Sequence, residues 1–273
     1  MESAIYKIDR TVLADGITLH AVIYPNDALN TFWADDWDPA LFRALAKAGF
    51  LTISHRDPAN QAILLPQLHD QYSVLDWPNI RLDRHIRRLV REETLAKRDI
   101  HLRINTDPGP VCQSIQSCHK DSWLQPEYAT LMQQLTEPRE DLRAIGIELW
   151  DGQRDSLIGG ELGYVMGRTY VSLTGFLDRS APEHNHLGKV QLAALGKLLE
   201  RSGYAFWNLG QTYQKYKFDL GAKATPRIAF LRRWLRAIKQ TPATPLPSLA
   251  GQHLACQELL SAPATNATLR RRG

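Results

Sequence analysis

The stretch AIGIELWDGQRDSLIGGELGYVMGRTYVSLTGF, residues 144–176, decides how this chain is read. Ile145, Ile147 and Leu149 alternate with their neighbours, the period-two pattern of a strand, and the turn pair Asp151-Gly152 ends it. Residues 156–166 read as a second strand, Gly167-Arg168 as a hairpin-like turn and residues 169–176 as a third strand. A polar loop then runs to His186. Residues 188–201 predict a helix with Val190, Ala194, Leu195, Leu198 and Leu199 inward, and residues 204–209 a short strand. Pro226 opens a last helix, whose apolar side is Ile228, Leu231, Leu235 and Ile238. Hairpin, strand, helix, strand, helix predicts an α/β (α+β) fold, with a mixed sheet and packed helices in the second half.

Upstream, residues 1–80 read as irregular. They hold extended pieces at 17–24 and 62–65 and a helix over 38–48 that stops at Gly49. Residues 81–97 predict one amphipathic helix, with Leu82, Ile86, Leu89 and Val90 on its apolar stripe and Arg84, Arg87, Arg88 and Arg91 off it. Residues 99–105 alternate as a strand, and residues 125–135 suit a helix. Past Lys239 the composition turns to Thr-Pro-Ala-Thr-Pro-Leu-Pro, a linker or tail that ends in Arg270-Arg271-Arg272. The expected division is a smaller N-terminal domain at 1–98, a catalytic domain at 99–240, and a Pro-rich linker and tail at 241–273.

The chain has 273 residues, of which 44% are hydrophobic, enough for a real core. No apolar run approaches the roughly 20 residues of a membrane helix, and MESAIYKIDR lacks the layout of a secretory signal. A soluble cytoplasmic protein with no membrane partner is expected. Cys112, Cys118 and Cys256 are too few for a disulfide framework. Neither Cys112-Cys118-His119 nor His184-His186 has a second ligand pair at zinc spacing, so no metal and no cofactor is expected. The net charge of +4 is unevenly spread: residues 81–98 hold seven basic and three acidic residues, and residues 227–239 hold five basic and none acidic. Localised cations on a net acidic remainder suit a polyanion partner, and solvated helix faces would look the same.

His55-Arg56-Asp57 matches a kinase triplet without its companion motifs, and GxSxG, GxxxxGK[ST] and HExxH are all missing from the sequence. Gly159, Gly160, Gly163 and Gly167 lie in or beside a strand, where they mark bulges, sheet curvature or close approach of a ligand. Strands 156–166 and 169–176 are expected to meet the helix start at Gly188 along one edge of the sheet. Free N–H groups there, with Lys189, would hold a phosphate-bearing acyl donor.

Several segments, in order, resemble the leucyl/phenylalanyl-tRNA–protein transferase family. Ala46-Lys47-Ala48-Gly49-Phe50 is similar to its YRxGxFPW segment, and Ser73-Val74-Leu75-Asp76-Trp77-Pro78 to its AVLxP stretch. Ser122-Trp123-Leu124 resembles TWI, Ile147-Glu148-Leu149-Trp150 resembles SxEVW, and Leu157-Ile158-Gly159-Gly160 through Gly163 resembles LVGGxYGV. Leu220-Gly221-Ala222, Pro226-Arg227 and Phe230-Leu231 resemble LGAxxxPRxxYL. The resemblance implies an acetyltransferase-like fold in the second half. It implies transfer of an amino acid from aminoacyl-tRNA to the N-terminal amine of an acceptor protein that begins with Arg or Lys, tagging it for degradation.

On that resemblance, Gln211 and Asn208 stand at the catalytic positions. Asn208 replaces an aspartate; an amide can orient an amine and cannot take its proton. Trp123, Glu161, Leu173, Gly175 and Trp207 stand at substrate positions. Glu161 replaces an apolar residue of the amino-acid pocket, which suits a cationic group. Leu173 replaces a glutamate, and Ile53 replaces a tryptophan that stacks on the terminal adenine. The tRNA would be held by Arg84, Arg87, Arg88, Arg91, Lys189, Arg232, Arg233 and Arg236 through its phosphates. Two other readings stand beside this one: an acyl-CoA-type N-acyltransferase of the same fold, and a non-catalytic binder of tRNA or basic N-termini.

Overall fold

The computed structural model describes residues 5–119 and 122–261. In chain order the elements are β1 (Tyr6–Lys7), α1 (Arg10–Ala14), β2 (Phe32–Trp33), α2 (Pro39–Lys47), β3 (Leu51–Arg56), β4 (Ala62–Gln67), β5 (Gln71–Leu75), α3 (Arg84–Arg91), α4 (Thr94–Lys97), β6 (Ile100–Asn105), α5 (Gly109–Cys118) and α6 (Pro126–Gln134). The second half adds β7 (Leu142–Asp151), β8 (Ser156–Met166), β9 (Thr169–Leu177), α7 (Leu187–Arg201), β10 (Phe206–Asn208), α8 (Lys215–Leu220), β11 (Lys223–Pro226), α9 (Arg227–Ala237), β12 (Leu254–Ala255) and α10 (Cys256–Ser261).

The centre is an eight-stranded mixed sheet in the order β11-β5-β10-β9-β8-β7-β6-β12. Within this sheet, among the described residues, only β9 and β10 are paired in parallel as neighbouring strands, through the crossover helix α7. The strand alternation read from residues 145–176 is realised in β7, β8 and β9, and each face of the sheet has its own core. Leu75, Ile147, Tyr170 and Trp207 lie on the α7 side, with Val190, Ala194 and Leu195. Tyr72, Val74, Leu162 and Val171 lie on the other, with Phe42, Phe230 and Trp234. Two bulges bend β8 and β9. Leu162 pairs with Thr174 while Gly163 pairs with Ser172, which leaves Leu173 as the extra residue.

Several expectations need correction. Residues 18–23 form a wide helical turn instead of an extended piece. Leu19 and Ile23, four apart, are buried together, while Ile17 is 78% exposed, so helical spacing prevails over alternation. The single helix of 81–97 is two, parted by Glu93 at φ 55. Glu92 and Glu93 place two carboxylates at the negative end of α3 and oppose its continuation. Strands β8 and β9 are interior, not at an edge. Ile228 is 39% exposed, and α9 instead buries Phe230, Leu231 and Trp234.

The sheet draws strands from all three expected segments, with β5 from the first and β12 from the last. Residues 241–261, read as a linker or tail, are packed: Leu246 is fully buried and its N–H donates to Tyr204 Oη at 3.0 Å, while β12 covers the β6 edge. Arg270-Arg271-Arg272 lie outside the described residues.

Candidate active site

β9 and β10 run side by side only over Thr169–Val171 and Phe206–Asn208. Beyond Val171, β9 stays on β8 as far as Leu177. The chain beyond Asn208 swings to β5 instead, where Leu209 N–H donates to Ser73 O at 2.9 Å and Ser73 N–H to Gly210 O at 2.7 Å. Gly210 makes the swing at φ 76, and Asn208 Oδ1 accepts its N–H at 2.9 Å. A wedge opens between the strands, with Ser172 on one wall and Gln211 on the other. Backbone groups of β9 lose their β10 ladder there; the ring nitrogen Nε2 of His119 meets the Gly175 carbonyl at 3.1 Å.

A hydrogen-bonded chain crosses the wedge base. Trp207 Nε1–H donates to Ser172 Oγ at 2.7 Å, Ser172 Oγ–H donates to Glu161 Oε1 at 2.6 Å, and Tyr170 O–H donates to the same oxygen at 2.8 Å. Burial pushes the Glu161 carboxyl up to about 7, against the pull of the two hydroxyls and of Lys217. Burial and the adjacent carboxylate hold Tyr170 protonated, as a donor. On α8, Lys217 is buried and donates from Nζ to Gln211 O at 2.9 Å. Burial draws its ammonium down to about 8, while Glu161 pulls the other way.

The structure divides the expected residues. Glu161 and Trp207 share the network on the α7 side, whereas Leu173 packs against the opposite core. These three therefore do not line one pocket, because strand alternation and the Leu173 bulge send them to different faces. Asn208 lies between Val74 and Val171 and also faces away from Trp207.

Gln211 Nε2 donates to Gln67 Oε1 at 3.2 Å, and its carbonyl also accepts from Ser73 Oγ. With Asn30, Gln67, His69 and Asp70 it lines an open cleft of about 540 Å³. Burial lowers His69 to about 4, so its ring is neutral. A second hollow, of about 520 Å³, is lined by Trp33, His55, Ile63 and Leu65 beside the β3–β4 hairpin. Trp123 is half-buried, edge-on to Tyr128 at 5.1 Å, and its carbonyl accepts from Ser54 Oγ, next to Ile53.

Arg84, Arg87, Arg88 and Arg91 on α3 are exposed, as are Arg232 and Arg236 on α9. Arg233 is tied to Asp76 and lies over the Phe206 ring at 4.7 Å; Lys189 is tied to Asp83 at 3.0 Å. These two already have carboxylate partners. Helix α3 seats Ile86 in the α7-side core and α9 seats Phe230 in the other, so the basic helices flank opposite faces.

Sequence reasoning missed Lys217, Tyr170, Ser172 and Trp33. Lys217 sits in the polar run Gln214-Lys215-Tyr216-Lys217, whose pattern gives no sign that one lysine turns inward. It also missed Asp99, His101 and His253, which cluster at the β6–β12 edge with ligand-type atoms within 4.8 Å of one another. The two rings there are stacked at 3.9 Å, so their in-plane lone pairs run nearly parallel instead of converging on an ion.

A mixed sheet whose parallel pair parts beside a buried carboxyl and a buried lysine defines the class: an α/β protein with an ionisable pair where two central strands separate. The profile of the leucyl/phenylalanyl-tRNA protein transferase family matches residues 74–235, more than half of the chain, and the chain belongs to that family. This is a family of aminoacyl transferases. A search of the curated proteins finds no match.

Among solved structures, the C-terminal domain of a protein described as a lysylphosphatidylglycerol synthetase from Agrobacterium fabrum is similar at 12% identity and a TM-score of 0.41. That alignment spans 72% of this chain and 65% of the other. L-PGS from Bacillus licheniformis is similar at 10% identity and a TM-score of 0.41, over 76% and 72%. Among the described residues no helix is long and apolar enough to cross a membrane.

Proposed function

We propose that this protein moves an amino acid from charged tRNA to the N-terminal amine of an acceptor protein that begins with Arg or Lys, marking it for degradation. The observation that carries this reading is the placing of Lys217 where β9 and β10 part, bonded to the Gln211 main-chain carbonyl and within electrostatic reach of the buried Glu161. An ester carbonyl in the wedge meets N–H donors, and an incoming amine meets a carboxylate. The polar cleft beside Gln211, with Asp70 on its rim, suits a cationic acceptor terminus. The exposed arginines of α3 and α9 suit the phosphates of the acceptor stem. Trp33 offers a stacking face near the hairpin where Ile53 replaces the family tryptophan.

The carboxyl of Glu161, where the family has an apolar residue, is the basis for an amino-acid specificity other than leucine or phenylalanine. The test is transfer of labelled amino acids from charged tRNA to peptides beginning with Arg or Lys. Transfer of at least one amino acid, abolished in Gln211→Ala, is expected; no transfer with any charged tRNA overturns the reading.

One observation favours a second reading, a non-catalytic binder. Asn208 is buried, its Oδ1 is committed to the Gly210 N–H, and it lies on the face of the sheet away from Glu161. A binder keeps RNA affinity with no turnover in any variant.

A further inference from the structure

With Asn208 unable to accept a proton, the reaction needs another acceptor. Four observations converge on the wedge. Glu161 is buried at the base, and both hydroxyls that reach it bind the same oxygen, Oε1. Oε2 accepts no hydrogen bond from the described residues. Lys217, equally buried, donates one bond from Nζ, to the Gln211 carbonyl, and has two N–H donors to spare. Glu161 and Lys217 stand within electrostatic reach of each other and make no direct ion pair, so neither group is committed to the other.

From these positions we infer that Glu161 and Lys217 are the proton-transfer pair of this site: Glu161 Oε2 takes the proton of the attacking amine, and Lys217 Nζ gives one to the departing 3′-oxygen of the tRNA. This rests on the transferase reading above. The amine nitrogen bonds to the ester carbonyl carbon while its proton passes to Glu161. The carbon–oxygen ester bond then breaks, and the 3′-oxygen receives its proton from Lys217. Transfer of the proton from the Glu161 carboxyl to the Lys217 amine restores both groups, so nothing further is consumed.

The surroundings match these roles. The ionisable groups facing Glu161 are Tyr170 from β9 and Lys217 and Tyr216 from α8; Lys217 also acts on His69 ahead of β5. The phenols and the neutral imidazole carry no charge near pH 7, so Glu161 answers to burial, then to the Ser172 and Tyr170 hydroxyls and then to Lys217, while Lys217 answers to burial and then to Glu161. Burial brings the carboxyl up to about 7 and the ammonium down to about 8, close enough for protons to pass between them near neutrality.

The test is single-turnover transfer from charged tRNA to an Arg-initiated peptide between pH 5.5 and 9.5. The wild type is expected to give a bell whose acid side combines Glu161 near 7 with the acceptor α-amine at about 8, and whose alkaline side reflects Lys217 near 8. Glu161→Gln should lose about a hundred-fold or more in rate and keep only the acid limb of the acceptor's own α-amine, at about 8, while tRNA affinity stays within twofold. Glu161→Asp should keep the carboxyl's part of the acid side at a reduced rate, and Lys217→Arg should move the alkaline limb upward. A Glu161→Gln rate within threefold of wild type overturns the pair and leaves the transferase reading standing. Absence of transfer by the wild type overturns both. Carboxyl NMR on the wild type gives an independent readout should Glu161→Gln not fold. Titration of Glu161 near its ordinary 4.5 overturns the assignment.

Discussion

Trp207 and Asn208 are neighbours in β10 and project from opposite faces of the sheet. Trp207 reaches Ser172 in the network around Glu161, and Asn208 turns back to the Gly210 N–H. A carboxylate restored at 208 therefore lies across the sheet from Glu161. Asn208→Asp keeps the bond to Gly210 and is expected to leave transfer within a few-fold of wild type. Asn208→Ala removes the bond that sets the swing to Gln211. It should cost about 1 kcal/mol, read by urea unfolding, and slow transfer.

Glu161 should leave a signature in pH-dependent stability. Its folded pKa of about 7 exceeds the ordinary 4.5, so its contribution to stability is fully present below 4.5 and is lost as pH rises through about 7. Lys217, lowered from 10.5 to about 8, acts at higher pH and does not mask this window. Between pH 4.5 and 8 the stability of Glu161→Gln relative to wild type should move in the variant's favour by up to about 3 kcal/mol. A flat difference across that range contradicts the burial of an ionisable carboxyl.

Arg227 locks the amino-terminal segment onto the sheet. It is 2% exposed and donates to the carbonyls of Asn26, Leu68 and His69 and to Asp70 Oδ1. Arg227→Met strands those acceptors and should cost about 3–5 kcal/mol in urea unfolding. Arg227→Lys should recover only part of this, since an ammonium cannot reproduce the planar fork.

RNA binding should be salt-dependent in a residue-specific way. Replacing Arg84, Arg87, Arg88 and Arg91 by Gln should flatten the plot of log affinity against log salt, by about 0.7–0.9 for each phosphate no longer neutralised. Arg233→Gln should change it little, because Arg233 is already paired with Asp76, and should lower stability instead. Equal slope changes for Arg232 and Arg233 contradict this.

Local pattern determined much of this protein. Alternation in residues 145–176 marks β7, β8 and β9, and the 3.6-residue spacing of Val190, Ala194, Leu195 and Leu198 marks α7. Asp38 before Pro39, with its carboxylate accepting the Ala40 N–H at 2.8 Å, and Gly49 at φ 87 set the ends of α2. These signals are local, because a period or a cap is written in adjacent residues. The ordered motifs from Val74 onward carried the family as well.

What tertiary structure alone decided is long-range. That β5 and β12 join one sheet with the strands of the middle segment depends on pairing across more than a hundred residues. Sequence singled out Glu161, Leu173 and Trp207 together. Only the bulge at Leu173 and the faces of the strands separate the first and last from the second. Lys217 reads as one more surface lysine, and it becomes a site residue because α8 folds it beneath Gln211, toward a carboxyl 56 positions earlier. Protonation near neutrality belongs to neither residue alone: it arises from burying both in the wedge that β9 and β10 leave when they part.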